Sequence, residues 1–374
     1  MMGVFHDLDA YGHEQVSFFQ DKETGLKAII GIHSTVLGPS LGGCRMWKYS
    51  DEAAALRDVL RLSRGMTYKA AVAGLRLGGG KAVVIADARL EKTPELLRAF
   101  ARAVDSLGGR YITAEDVGMS VSDIDLIREH TRHAVGGSNE GGSGDPSVMT
   151  AYGVFHGMRS ALKFAGLGNE LKGIRVAVQG VGNVGYHLCQ YLAQAGAELI
   201  VTDIYPNQVQ KVVEEFSARS VTPDQIYSVD CDVFAPCALG AILNQRTIPQ
   251  LKCKIVAGSA NNQLENDADG EALSKRGIVY VPDYAINAGG LINVAAELDG
   301  YNKELVIAKV GQIAHTVEQV LTRASGEHIL PHQAADAIAE QRLAEARKRN
   351  RSGFTAADTM VIAPEVNVAN AVSR

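Results

Sequence analysis

Two lysines twelve residues apart, Lys69 and Lys81, stand in the run Gly65–Lys81, GMTYKAAVAGLRLGGGK. They are the side chains in this chain best placed to do chemistry. No Asp or Glu lies between Asp58 and Asp87. Cations set among Ala, Gly, Val and Leu need anionic company, and a ligand is the natural source. Gly78, Gly79 and Gly80 carry no side chains, so backbone or substrate can come close to Lys81. One lysine could hold a substrate carboxylate. The second, beside that cation, would lose its proton more readily and could serve as base. Asp116, in Ala114-Glu115-Asp116-Val117-Gly118, could carry a proton to or from an amine. These roles suit dehydrogenation of an amino acid or of a hydroxy acid, and the residues alone leave both open.

The oxidant is signalled further on. Gly180-Val181-Gly182-Asn183-Val184-Gly185 is a G-x-G-x-x-G that follows an apolar stretch, Ile174–Gln179, and opens a helical one, Val184–Gln194. Gly180 permits a tight turn, Gly182 lets backbone approach a pyrophosphate, and Gly185 packs helix on strand. The helix N-terminus offers N–H donors and partial positive charge to the phosphates. Asp203 lies eighteen residues past the third glycine, at the end of the next strand, Glu198–Thr202. It would accept from a ribose 2′-hydroxyl and repel a 2′-phosphate, so NAD is favoured over NADP. A triphosphate loop is excluded at Lys81, because Leu75 and Ala82 stand where glycine and Ser/Thr would be needed. His130 and His133 lack a third ligand at sensible spacing, so no metal site is expected. There is no G-x-S-x-G nucleophile elbow.

The elements that must position these residues are expected as follows. Val16–Gln20 and Leu26–His33 read as strands, Leu37–Gly43 as a loop, and Asp51–Arg64 as a helix stopped by Gly65. Lys81–Ala86 is a strand, Thr93-Pro94 opens a helix closed by Gly108-Gly109, and Tyr111–Thr113 is a strand. Ser122 caps a helix running to about His130. A glycine-rich break, Gly136–Pro146, marks a domain boundary and hinge. Beyond it, Asp232–Ala235, Lys254–Ala257 and Gly277–Val281 join the strands of a parallel sheet covered on both faces. Leu305–Ala324 and Gln333–Lys348 read as long amphipathic helices. The fold class is α/β, in two domains. An N-terminal substrate and oligomerisation domain covers 1–140 with a returning segment at 332–374. A doubly wound dinucleotide-binding domain covers 141–331, and a cleft separates the two.

Bulk properties agree with this reading. A chain of 374 residues exceeds a single core. Hydrophobic residues make up 46%, mean hydropathy is −0.01 and formal charge is −5, which argues against nucleic acid or an anionic membrane as partner. No apolar run reaches membrane length, and the N-terminus has no signal-peptide pattern. Five cysteines without a C-x-x-C pair suit a reducing, cytoplasmic compartment. The basic run Arg347-Lys348-Arg349 sits at a helix end and complements its dipole.

The blocks MTYKAAVAGLRLGGGKAVV, YITAEDVGMSV, VAVQGVGNVGYHLC, CDVFAPCALGAILN, AGSANNQLEN and PDYAINAGGLINVAAEL resemble the leucine dehydrogenases. These belong to the glutamate/leucine/phenylalanine/valine dehydrogenase superfamily. The resemblance runs from about His13 to Arg342 and is missing from Asn350–Arg374. It implies reversible NAD-dependent oxidative deamination of branched-chain L-amino acids to 2-oxo acids and ammonium. It also implies closure of the cleft about the hinge and assembly into a homo-oligomer, an octamer. By motif, Lys69 binds the substrate carboxylate, Lys81 is the base that activates water, and Asp116 handles the amine proton. Gly42, Gly43, Met66 and Asn262 join the substrate site. Leu41, Ala114, Leu291 and Val294 form the side-chain pocket. Thr150, Gly180, Val181, Gly182, Asn183, Val184, Gly185, Tyr186, Asp203, Cys237, Ala238, Ala260 and Asn261 are implied at the cofactor. Leu291 stands where relatives more often carry Val, which would tilt preference toward smaller side chains, and Cys44 where Thr is expected. Alternatives on the same scaffold are a phenylalanine dehydrogenase, which Ala114 disfavours, and a non-catalytic NAD sensor.

Overall fold

The computed structural model describes residues 4–138 and 141–351. Residues 139 and 140 of the glycine-rich break, and 352–374 of the returning segment, lie outside the described residues. Contacts divide the chain into two compact units. Among the described residues, the first comprises those up to 145, 293–302 and 339–351. The second comprises 146–292 and 303–338.

The first unit is built on a five-stranded sheet. Its strands are β1 (Gln15–Asp21), β2 (Leu26–Ser34), β3 (Ser40–Trp47), β4 (Gly78–Ile85) and β5 (Tyr111–Glu115), in the order β1-β2-β4-β3-β5. The β1–β2 and β2–β4 pairs are antiparallel, while β4–β3 and β3–β5 are parallel. Ile30, Ile32, Met46, Val84, Phe100 and Tyr111 fill the core between the sheet and the helix Pro94–Asp105. On the other face Ile29 and Val83 meet Ala55, Val59 and Leu60 of the helix Glu52–Val72.

Several expectations need correction here. The helix expected to stop at Gly65 runs on to Val72. Gly65 lies inside it, while Thr67, Tyr68, Ala70, Ala71 and Val72 continue its buried face. The stop is Gly74, in the left-handed region at φ 74°, where the Leu75 amide bonds the Ala70 carbonyl. Ser40–Gly43, expected in a loop, belong to β3, because their backbone pairs on both sides with β4 and β5. The cap expected at Ser122 is Ser120, whose side chain and that of Asp123 form a reciprocal capping box for Val121–Arg128.

The second unit holds a six-stranded, wholly parallel sheet in the order β11-β10-β9-β6-β7-β8. These strands are β6 (Arg175–Gln179), β7 (Glu198–Thr202), β8 (Arg219–Ser220), β9 (Val233–Pro236), β10 (Ile255–Val256) and β11 (Val279–Tyr280). The short β8 carried no sequence signal; its two exposed residues pair only with β7. The segment expected as one helix at 305–324 is two, Lys303–Gly311 and Ile313–Glu327.

Residues 293–302 group with the first unit because buried Glu297 binds there. Its carboxylate accepts from the amides of Gly136 (2.9 Å) and Ser143 (2.7 Å) and lies 3.4 Å from Arg128. The helix Pro331–Arg351 serves both units in turn. In the second, Tyr284 donates to Asp336 at 2.6 Å. In the first, Tyr68 donates to Glu340, and Arg342 donates to the Ala71 carbonyl at 2.6 Å.

Candidate functional site

In the first unit, Lys81 is on β4 and only 6% exposed. Asp116 follows β5 directly. Lys81 Nζ lies 2.5 Å from Asp116 Oδ2, and Arg45 Nε reaches the same oxygen at 3.2 Å. Burial by itself would push the Asp116 carboxyl up, but Lys81 and Arg45 outweigh it and hold it at about 2. Asp116 is therefore an anion clamped by two cations. Arg45 was not singled out from the sequence; its place on β3, two residues from Gly43, is the only local cue.

Of the two close approaches expected at the glycines around Lys81, backbone or substrate, the structure shows backbone: protein closes around them. A Cβ at Gly79 would stand 2.0 Å from the Thr67 amide nitrogen, and one at Gly80 would stand 2.6 Å from the Tyr111 ring. A Cβ at Gly42 would meet the Gly80 carbonyl at 1.7 Å, and one at Gly43 would meet the Asp116 Cβ at 2.8 Å. Tyr111 also donates its hydroxyl to the Gly42 carbonyl at 2.6 Å. Helix and strand touch at Thr67 and Gly79, and each lysine follows that contact by two residues, Lys69 on the helix and Lys81 on the strand. Met66 is three residues before Lys69, on the same helix face. His33, pushed down to about 4 by burial, bonds Thr67 Oγ1 through Nδ1 at 2.8 Å and so fixes this stretch as a neutral partner.

Leu41, Ala114 and Val294 are buried in the first unit, with Ala114 opposite Gly43 in the sheet. Leu291 is buried in the second unit, which also holds Asn262. The substrate residues expected from the sequence are thus divided between the two units.

In the second unit each glycine of the loop has a separate geometric cause. Gly180 is left-handed at φ 95° and abuts Ala238. A Cβ at Gly182 would meet nothing within 4 Å, so the backbone there is open to a ligand. A Cβ at Gly185 would stand 2.0 Å from the Gly180 carbonyl. Asn183, exposed, and Val184, half-buried, open the helix Asn183–Gln194, whose Gly182 N-cap has no side-chain bond. Asp203 Oδ2 accepts from the Val181 amide (2.8 Å) and Oδ1 from the Tyr205 amide (3.0 Å), so the carboxylate is oriented by backbone. Gln179 Oε1 and Thr202 Oγ1, at the ends of β6 and β7, are buried polar atoms with no partner among the described residues. An open amide-lined turn flanked by such atoms and by a fixed acid fits a dinucleotide.

Tyr186 turns away from this loop. Its hydroxyl bonds Glu215 at 2.5 Å and its ring lies under Lys211, leaving its backbone amide, on the Gly182 carbonyl, as its link to the turn. The Cys237 amide bonds the Gln179 carbonyl, and burial pushes its thiol up. Ala260 is buried on the Pro236 carbonyl, and Thr150 Oγ1 bonds the Pro146 carbonyl at 2.9 Å. Asn262 has φ 52° and donates its amide to Asp283 at 2.5 Å. Asn261 accepts from Asn287 Nδ2 at 2.8 Å, and the Asn287 Oδ1 is buried with no partner among the described residues. Sequence reasoning missed Asn287; only its place in the block INAGG pointed to it. Among the described residues no group of three His, Cys, Asp or Glu is arranged to hold a metal.

Residues 13–133 match the profile of the Glu/Leu/Phe/Val dehydrogenase dimerisation domain. Residues 141–205 and 201–351 match that of the Glutamate/Leucine/Phenylalanine/Valine dehydrogenase domain. The chain belongs to the glutamate/leucine/phenylalanine/valine dehydrogenase family. Within this family it is 56% identical to leucine dehydrogenase of Geobacillus stearothermophilus, over 94% of this chain and 96% of that one. It is 47% identical to valine dehydrogenase of Streptomyces albus, over 92% and 96%. A crystal structure of L-tryptophan dehydrogenase from Nostoc punctiforme superposes with TM-score 0.81 at 45% identity, covering 92% of this chain and 99% of that one.

For a dehydrogenase of this family, Asp203 carries a direct prediction. Asp203→Ser removes the charge that would repel a 2′-phosphate, together with one bond to the Val181 amide. The ratio of kcat/KM for NAD to that for NADP is expected to fall by about tenfold to a hundredfold, the equivalent of ~1–3 kcal/mol for one lost charged contact. An unchanged ratio would place the ribose elsewhere.

Proposed function

We propose that the protein catalyses the reversible, NAD-dependent oxidative deamination of branched-chain L-amino acids to 2-oxo acids and ammonium. The observation that carries this is the Lys81–Asp116 ion pair, with Lys81 buried, in a member of this dehydrogenase family. The similarity to leucine dehydrogenases over nearly the full chain supports the substrate class. Bound NAD supplies the hydride acceptor.

The chain's own residues then have distinct tasks. Lys69 anchors the substrate carboxylate. Asp116 takes the proton of the amine and returns one to the departing ammonia. Lys81, once deprotonated, draws a proton from the water that attacks the imine carbon. Leu41, Ala114 and Val294 of the first unit, and Leu291 of the second, are assigned to the substrate side chain. A glutamate side chain would leave a charge buried among them without a partner, a cost of several kcal/mol by order of magnitude. Gly180, Gly182, Gly185 and Asp203 hold the nucleotide. The first unit binds substrate and associates with further copies, to an octamer, and the second binds NAD. Five free cysteines support a reducing cytoplasmic setting, and no helix among the described residues is long and apolar enough to cross a membrane.

The test is NADH formation measured across Leu, Val, Ile, 2-aminobutyrate, Phe, Trp and Glu. The highest kcat/KM is expected within the first four. Activity on Glu alone would overturn the pocket assignment, and a preference for Trp or Phe would move the enzyme to the aromatic branch.

A further inference from the structure

Arg45 is the member of this site that neither the motifs nor the roles above account for. Its guanidinium faces two acids at once. Nε lies 3.2 Å from Asp116 Oδ2, and an Nη lies 3.0 Å from Asp58 Oδ2. Asp58 in turn accepts from the Tyr49 hydroxyl at 2.7 Å and pairs with Arg61 at 3.3 Å. The result is one chain of contacts, Tyr49–Asp58–Arg45–Asp116–Lys81, running from the helix Glu52–Val72 across β3 to β4. Arg61, at its outer end, is the exposed member; Arg45, Asp58 and Asp116 keep a quarter or less of their side-chain surface.

We propose that Arg45 is a positioning residue for the reaction: by sharing Asp116 Oδ2 with Lys81 it fixes the carboxylate and weakens its hold on the lysine proton, so that Lys81 can act as base.

The argument is electrostatic and geometric. A lysine paired alone with a buried carboxylate keeps its proton, because deprotonation would strand the anion. A second cation on the same oxygen removes that penalty. Asp116 stays paired through Arg45 whichever form Lys81 takes. Arginine suits the task because it stays charged throughout the working range and bonds two acids with a planar fork. Bonding a common oxygen places the two cations within about 6 Å of each other, where like charges repel. Other ionisable groups around Asp116 include Glu115 beside it, Cys44 on β3, Tyr111 on β5 and Tyr49, with Asp123, paired with Lys92 at 2.7 Å, near Glu115 and Cys44. Burial pushes the Glu115 carboxyl and the Cys44 thiol up, toward their neutral forms. Arg45 and Lys81 thus contact the same oxygen of Asp116.

The test uses charge changes of opposite sign at the two ends of one contact. Resting on the reaction proposed above, it follows the alkaline-rising limb of kcat for leucine oxidation in Arg45→Gln, Asp58→Asn and Arg45→Lys. Arg45→Gln removes a cation, so the limb should move up by about one pH unit, with kcat at neutral pH down about tenfold or more. Asp58→Asn removes one of the two acids that face Arg45, so the limb should move down by a few tenths of a pH unit. Arg45→Lys keeps the charge and should leave the limb in place while lowering kcat through lost geometry. Shifts in the same direction for Arg45→Gln and Asp58→Asn, or none, would overturn the proposal and leave Arg45 a structural residue. A parallel measurement needs no turnover: the pH dependence of Lys81 acylation by an amine reagent, read by peptide mass, in the same variants. If the wild-type protein oxidises no amino acid, the reaction assignment fails. If the acylation profiles do not separate, the role of Arg45 fails.

Discussion

Lys81→Ala should reduce amino-acid-dependent NADH formation by about a thousandfold or more, at the upper end of what a general base contributes, while NADH still binds. Lys81 is the ammonium that touches Asp116 most closely, at 2.5 Å, and it is almost wholly enclosed. Water cannot easily replace it as a proton acceptor there. The nucleotide loop belongs to the other unit and keeps its own contacts, from Gly180 to Asp203. Fluorescence titration with NADH should therefore give a Kd close to wild type. Lys81→Arg is the sharper companion. It retains a cation for Asp116, so the ion pair and the fold survive, but a guanidinium does not lose its proton in this range. Arg at this position should be as inactive as Ala. Activity near wild type in either variant would remove Lys81 from the role of base, and loss of NADH binding in Lys81→Arg would show that the two units are not independent in this respect.

What could be read in the chain beforehand depended on how local its cause is. The dinucleotide turn was legible because its geometry is contained in six residues and the acid after the next strand. The left-handed Gly180, the open Gly182 and the crowded Gly185 each require glycine on their own account. The N-cap at Thr93 and the strand Glu198–Thr202 are similarly local. The lysines were legible as charges in an apolar run. The partners that define them were not. Arg45 meets Asp116 across 71 residues of sequence, and Glu297 meets Gly136 across 161. Nothing in the spacing of residues reports a contact made that far away. Gly65 misled for a related reason. Glycine in a helical pattern suggests a stop, but the stop is set by backbone conformation and by where the buried face ends, and both belong to Gly74. The glycines before Lys81 were recognised as a close approach, but their neighbours are Ser63, Thr67 and Tyr111, which the sequence does not bring together.

Those neighbours make Gly79→Ala a damaging small change in the first unit. A Cβ there would stand 2.0 Å from the Thr67 nitrogen, 2.3 Å from Thr67 Oγ1 and 2.5 Å from the Ser63 carbonyl. Two of the three are backbone atoms of a helix, so no rotamer change relieves the clash; the helix has to move off the strand. Overpacking of a well-filled core costs ~1–3 kcal/mol, and a clash with rigid backbone belongs at or beyond the top of that range. At ~2–4 °C per kcal/mol for a unit of this size, the melting temperature should fall by about 10 °C. Activity should fall by more than the stability loss explains. The displaced contact sits two residues before both Lys69 and Lys81, so the spacing of carboxylate anchor and base changes together, raising KM and lowering kcat even in folded protein. Gly65→Ala is the matched control in the same helix. No atom outside the helix's own backbone comes within 4 Å of its Cβ position, and the helix continues on both sides, so alanine there should stabilise by roughly 0.5–1 kcal/mol with turnover unchanged. Equal melting temperatures for the two variants would mean that helix and strand do not meet at Gly79 as described.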